Sequence, residues 1–171
     1  MSSSTVKWDG ASFTMPPYYG VRLSHWLEEQ PQLGLALDFT HAKVKASPLP
    51  AGLSMLEFTD GINFLTANVM YRHQQGGQVT PYGGIGAGFA IPHVEIDGPL
   101  LGNLPTHDYQ VTGIAAQAFV GVDIAINERW SIFGEFKSTF GVVEANLKGG
   151  GNLSTDVLSN QVIVGLSYKF N

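Results

Sequence analysis

Apolar and polar residues alternate with a period of two along most of this chain, and the last segment shows it most plainly. Val162, Val164, Leu166, Tyr168 and Phe170 occupy every second position, with Ile163, Gly165, Ser167 and Lys169 between them. A strand with this pattern has one greasy face and one mixed face. Similar alternation predicts strands over roughly 4–13, 18–28, 32–44, 58–72, 78–96, 109–126, 129–142 and 158–170, eight in all. The first alternates only weakly, through Val6, Trp8 and Gly10, and Pro16-Pro17 ends it.

The spacing of these segments predicts their order. Glu28 to Gln32, His73 to Gln78 and Asn127 to Arg129 are short, polar, turn-forming connections. Longer connections, roughly 45–56, 97–109 and 143–157, lie between them. Short and long links in alternation suit an up-and-down antiparallel barrel with both termini on one side.

The two faces differ in chemistry. Leu33, Leu35, Leu37 and Phe39 alternate with Gly34, Ala36, Asp38 and Thr40; Ala116, Ala118, Val120, Val122 and Ile124 alternate with Gln117, Phe119, Gly121 and Asp123. Ile85, Ala87, Phe89 and Ile91 alternate with Gly84, Gly86, Gly88 and Ala90, and Trp130, Ile132 and Phe136 with Ser131, Phe133, Glu135 and Lys137. The second face therefore collects Arg22, Asp38, Asp123, Glu135 and Lys137 together with the small residues. Small residues suit the crowded inside of a narrow barrel, so this face is expected to be the lumen. A soluble ligand-binding barrel would carry its charges outside and its grease inside. The expected fold is thus all-β: an eight-stranded antiparallel up-and-down transmembrane β-barrel, one domain over residues 1–171.

Composition agrees with that reading. Only 13% of the residues are charged, where soluble domains carry about a quarter. The net charge of −5 offers no basic stripe to neutralise phosphates, which argues against nucleic acid as partner. Cysteine is absent, so no disulfide framework is available. No run is long and apolar enough for a membrane helix. The first residues, Met-Ser-Ser-Ser-Thr, lack the basic start and apolar core of a signal peptide. The expectation is a mature outer-membrane protein behind an added Met1.

Candidate chemistry lies in two places. Arg22, Asp38, Asp123, Glu135 and Lys137 are expected to pair across the lumen, because buried charges need partners. Gly84, Gly86 and Gly88 do not form a dinucleotide fingerprint, since no G-x-G-x-x-G opens a helix here; they leave room for residues such as Phe119 or Phe133. Of the histidines, His73 falls in a turn, His107 in a long connection and His25 near a strand end. His41 and His93 lie where their strands lead into long connections. In phase with the outward residues, His41, Glu57, His93 and Glu95 would point outward on three neighbouring strands if no bulge intervenes. Two imidazoles and two carboxylates suit acid–base work or a divalent cation. They also suit plain contact with solvent, sugar and counter-ions.

Several blocks carry a resemblance. Thr80-Pro-Tyr-Gly-Gly, Phe133-Gly-Glu-Phe-Lys137 and the terminal strand resemble small OmpA/OmpX-like outer-membrane barrels over most of the chain, although the closing aromatic is penultimate to Asn171. Ser12-Phe-Thr-Met-Pro-Pro-Tyr-Tyr-Gly-Val-Arg22, Asp38-Phe-Thr-His-Ala-Lys43, Leu56-Glu-Phe-Thr-Asp-Gly61 and Pro92-His-Val-Glu95 are similar to a narrower group, the lipid A oxidases. That resemblance implies a monomer in contact with outer-membrane lipids, acting on lipid A of lipopolysaccharide in the outer leaflet. It implies oxidation of the proximal glucosamine to 2-aminogluconate by oxygen, with hydrogen peroxide formed. It also implies catalytic roles for His41, Glu57, His93 and Glu95, and a divalent metal ion, held by His41, His93 and Glu95, in place of any nucleotide cofactor. A non-enzymatic barrel for anchoring, adhesion or lipopolysaccharide contact is the alternative. A pore is disfavoured, because eight strands enclose no open channel.

Overall fold

The computed structural model describes residues 7–10, 18–49, 51–73, 77–99, 106–109, 113–146, 148 and 152–170. Val6, Pro16-Pro17 and the side chain of His107 lie outside the described residues. Among the described residues all regular structure is β, in one antiparallel sheet curled into a half-barrel. The strands are β1 (Trp8–Gly10), β2 (Tyr19–Trp26), β3 (Leu33–Ala46), β4 (Met55–Arg72), β5 (Val79–Asp97), β6 (Thr106–Tyr109), β7 (Gly113–Ala125), β8 (Trp130–Asn146) and β9 (Asn152–Tyr168). Each of the eight expected segments holds a strand, and β6 is an additional short strand lying almost wholly in the expected 97–109 connection.

The order departs from a simple up-and-down run at its first edge. β1 pairs with the far end of β3 (Trp8 opposite Ala46), and β2 pairs with the near end (Tyr19 opposite His41). Both run the same way along a single edge of β3. The first described strand therefore starts at the loop end while β9 finishes at the turn end, contrary to the expectation of termini on one side. Among the described residues no ladder joins β2 to β9. β6 and β7 similarly share one edge of β5.

The faces fall as the alternation predicts. Leu35, Leu37, Ile85, Phe89, Val120, Val122, Ile132, Val164 and Leu166 are all exposed on the outer wall. Asp38, Glu135 and Lys137 are buried, and Asp123 is half-buried. Small inner residues make the curl possible. A side chain at Gly84 would meet the Phe119 ring at 2.5 Å, and one at Gly165 would meet the Phe133 ring at the same distance.

The long connections prove shorter than expected, because β3, β4, β8 and β9 continue into them. Their ends keep the same in–out phase with the chemistry of the two faces exchanged. Ala42, Val44 and Ala46 point inward while Lys45 is exposed and Lys43, in the same outward phase, is itself buried; Val143 and Val157 are buried while Glu144 and Asp156 are exposed. A search for apolar-outward strands reads this inverted pattern as loop. The inward residues build the main apolar cluster, in which Phe58, Ile62, Phe64, Val143 and Val157 are almost wholly enclosed. This cluster caps the lumen at the loop end.

Below the cap sits the ionic network. Lys137 Nζ donates to Asp38 Oδ1 at 2.9 Å and to Thr40 Oγ1 at 2.9 Å. Arg22 reaches Asp38 through Nε at 2.7 Å and Glu135 through Nη1 and Nη2 at 2.6 and 2.9 Å. The Tyr82 hydroxyl donates to Glu135 at 3.0 Å, and the Arg22 guanidinium stacks 4.0 Å above the Phe119 ring. Four of the five expected lumenal charges thus pair across the interior, linking β2 and β3 to β8. Asp123 stands apart nearer the turn end, where it accepts a bond from Ser131 at 2.7 Å.

Candidate functional site at the loop-end rim

The strand ladders bring the four candidate rim residues onto one outward face, at two levels and a step between. At the lowest level His41 is opposite Asn63 of β4, which is opposite Ile91 of β5. At the highest, Lys45, Glu57 and Glu95 are successive register partners on β3, β4 and β5. His93 lies between those levels. A bulge does intervene: β4 carries Phe58 to Gly61 between Glu57 and Ile62, where β5 has only His93 and Val94. It inserts two extra residues, so the in–out phase survives and Glu57 keeps its outward position.

His41 is not the solvated rim residue that its position suggested. It is 3% exposed, although it lies on the outward face. Its Nδ1 is 2.8 Å from Asn63 Oδ1. With the Asn63 carbonyl oxygen placed toward it, Nδ1–H is the donor, and in the neutral ring this assigns the lone pair to Nε2. Tyr19 from β2 stacks on the ring, with centroids 4.9 Å apart and planes 20° from parallel. Gly61 supports the same ring: its φ is +103°, and a Cβ there would lie 2.0 Å from His41 Cε1. The imidazole is thus clamped by residues of β2 and β4, and its buried Nε2 has no partner. The same clamp closes Nε2 off, so a group reaches this lone pair only when Tyr19 or the β4 bulge moves aside.

His93 and Glu95 form the second half of the rim. His93 Nδ1 is 3.3 Å from Glu95 Oε1, and Glu95 is 8% exposed. Glu57, directly across the ladder, is half-buried. Of the four candidates only His93 and Glu95 pair through their side chains; His41 bonds Asn63, which was not among them, and Glu57 is the register partner of Glu95. Among the described residues no three His, Asp or Glu side chains assemble into a set that could hold a metal ion. The triad His41, His93 and Glu95 does not meet that requirement. His107, expected in a loop, belongs to β6, where its backbone is the register partner of Glu95. His73 follows the end of β4 and is exposed, and His25 is exposed on β2.

Sequence reasoning missed Asn63, Tyr19 and Gly61. Asn63 left a signal: it is the polar outward residue in a series that otherwise reads Leu65, Ala67, Val69 and Tyr71. Gly61→Ala should destabilise the protein by about 1 kcal/mol or more, because a positive φ is costly for alanine and the new methyl would displace the His41 ring. Thermal or denaturant unfolding of the refolded variant measures the cost. Nitrogen-15 shifts of His41 should show the loss of its single tautomer.

No protein family, curated protein or solved structure matches the chain.

Proposed function

We propose that this chain is an outer-membrane β-barrel that modifies lipid A in the outer leaflet, using the clamped His41 as base. The observation that carries the membrane reading is the double inversion of the walls. Toward the turn end the outer wall is apolar and the inner wall is charged. Beyond His41, Asn63, His93, Glu144 and Asp156 the outer wall turns polar, and at that level the inner wall turns apolar. A wall bathed in water throughout has no reason to change sign, whereas one crossing a lipid layer changes where the lipid ends. On β8 the outward residues from Trp130 to Phe140 carry no charge. At roughly 3.4 Å per residue and a tilt of about 40° this stretch is about 25 Å tall, the height of the apolar band of such barrels. Trp130, Tyr168 and Phe170 pack edge to face at its turn end, with centroids 4.9 and 5.1 Å apart. Aromatic residues gather at such membrane boundaries.

The rim site lies where the apolar band stops. A substrate there has its acyl chains in the membrane and its sugar head group at the level of His41. The resemblance to lipid A oxidases narrows the reaction: the proximal glucosamine loses two electrons at C1, and molecular oxygen accepts them and leaves as hydrogen peroxide. His41 Nε2 takes the C1 hydroxyl proton, the C1 hydrogen leaves with its electron pair to oxygen, a proton from the His93–Glu95 pair completes hydrogen peroxide, and water then opens the C1 lactone to the carboxylate. Mass spectrometry of lipid A from cells with and without the full chain tests this. A gain of one oxygen atom on the proximal sugar is the expected result. Unchanged lipid A would leave the polar collar as a lipopolysaccharide contact surface. Recovery of the chain in the fraction solubilised without detergent would overturn the membrane reading itself.

A further inference from the structure

Between the ionic network and the apolar cap runs a polar layer that the proposed function does not use. Thr66 and Asn68 of β4, Gln117 of β7, Thr139 of β8, and Ser159 and Gln161 of β9 are all buried and point inward. Three atoms of this layer have no hydrogen-bond partner: Gln117 Oε1, Thr139 Oγ1 and Gln161 Oε1. They are close neighbours in the sheet. Gln117 is the register partner of Thr139 across β7 and β8. Thr139 is opposite Ser159, two residues from Gln161 on β9, which makes Thr139 and Gln161 a diagonal pair on one face.

We propose that this layer is a binding site for ordered water inside the lumen. Two of the three free atoms are amide oxygens, which only accept, so the guest must donate at least two hydrogen bonds. Three neighbouring donor groups are already engaged. Lys137 Nζ serves Asp38 and Thr40, Gln117 Nε2 donates to Asn68 at 2.8 Å, and Asn68 Nδ2 donates to Thr66. A cation would also satisfy carbonyl oxygens, but the Lys137 ammonium opposes it, since Lys137 is the register partner of Gln161. Water has two donors, two acceptors and no charge, and it can meet the Thr139 hydroxyl in either role. Above the site the cap of Phe58, Ile62, Phe64, Val143 and Val157 is apolar and tightly buried. Below it Arg22 bridges Asp38 and Glu135. Water held between two such closures exchanges slowly.

The test is water-to-amide cross-relaxation by NMR on the full chain refolded in detergent. Long-lived water signals are expected at the amides around Gln117, Thr139 and Gln161. Thr139→Val, which keeps the shape and removes the hydroxyl, should lose at least one of them. Gln161→Leu serves the same purpose if that variant does not fold. Absence of long-lived water in the unmodified protein, or signals unchanged in a folded variant, would overturn the proposal. So would an unfolding temperature that rises when choline is replaced by sodium at constant ionic strength, which would assign the site to a cation.

Discussion

Lys137→Met is expected to lower the stability of the refolded protein by about 3–5 kcal/mol. Lys137 is 3% exposed and spends its ammonium on Asp38 and Thr40, with Glu135 a further 3.8 Å away. Removing it leaves two buried carboxylates, Asp38 and Glu135, to share the Arg22 guanidinium. Methionine nearly preserves the volume, so the loss reports the uncompensated charge rather than a cavity. Exposed ion pairs cost about 0–1 kcal/mol when broken. Denaturant unfolding in detergent reads the difference, and an unchanged midpoint would mean that water solvates these charges. Adding Asp38→Asn to Lys137→Met removes one carboxylate as well as the cation, and the double variant should recover part of the loss. No recovery would show that packing, and not charge balance, sets the cost.

His41→Phe is expected to abolish most of the lipid A modification while the barrel still folds. General acid–base assistance contributes about 10²–10⁴-fold to a rate, and phenylalanine removes both ring nitrogens. It keeps a flat ring to stack on Tyr19 above Gly61, so the effect on folding should be limited to the unpaired Asn63, about 1–3 kcal/mol. His41→Ala would empty the clamp altogether and confuse the two effects, since His41 is buried rather than free at the rim. Lipid A mass from cells expressing each variant at equal membrane abundance decides the matter. Unchanged modification in His41→Phe would remove the base from the proposal and leave the collar as a contact surface. Modification lost in Glu95→Gln but retained in His41→Phe would move the chemistry to the His93–Glu95 pair.

Much of the architecture was legible because a strand repeats every two residues. Alternation alone located all eight segments and divided the aliphatic set, such as Ile85 and Val164, from the enclosed Asp38, Glu135 and Lys137. It failed at the loop end for a specific reason. Ala42, Lys43, Val44, Lys45 and Ala46 still alternate, but with apolar residues inward, so a search for one polarity ends the strand too soon. The same inversion became the main support for the membrane reading once both walls could be compared.

The chain by itself determined the strands, the two faces and the charges that must meet inside, because those follow from periodicity and from the cost of leaving charge unpaired. Tertiary structure decided what touches what. The place of β1 beside β3, the standing-apart of Asp123 and the recruitment of Tyr82 depend on register and curvature between residues far apart in sequence. His41 shows the limit most clearly. Its outward phase was readable from Leu37 and Phe39. Its burial was not, because the ring is covered by Tyr19 from β2 and by a β4 bulge whose Gly61 leaves it room. Such a clamp exists only when three strands, each ordinary on its own, are brought side by side.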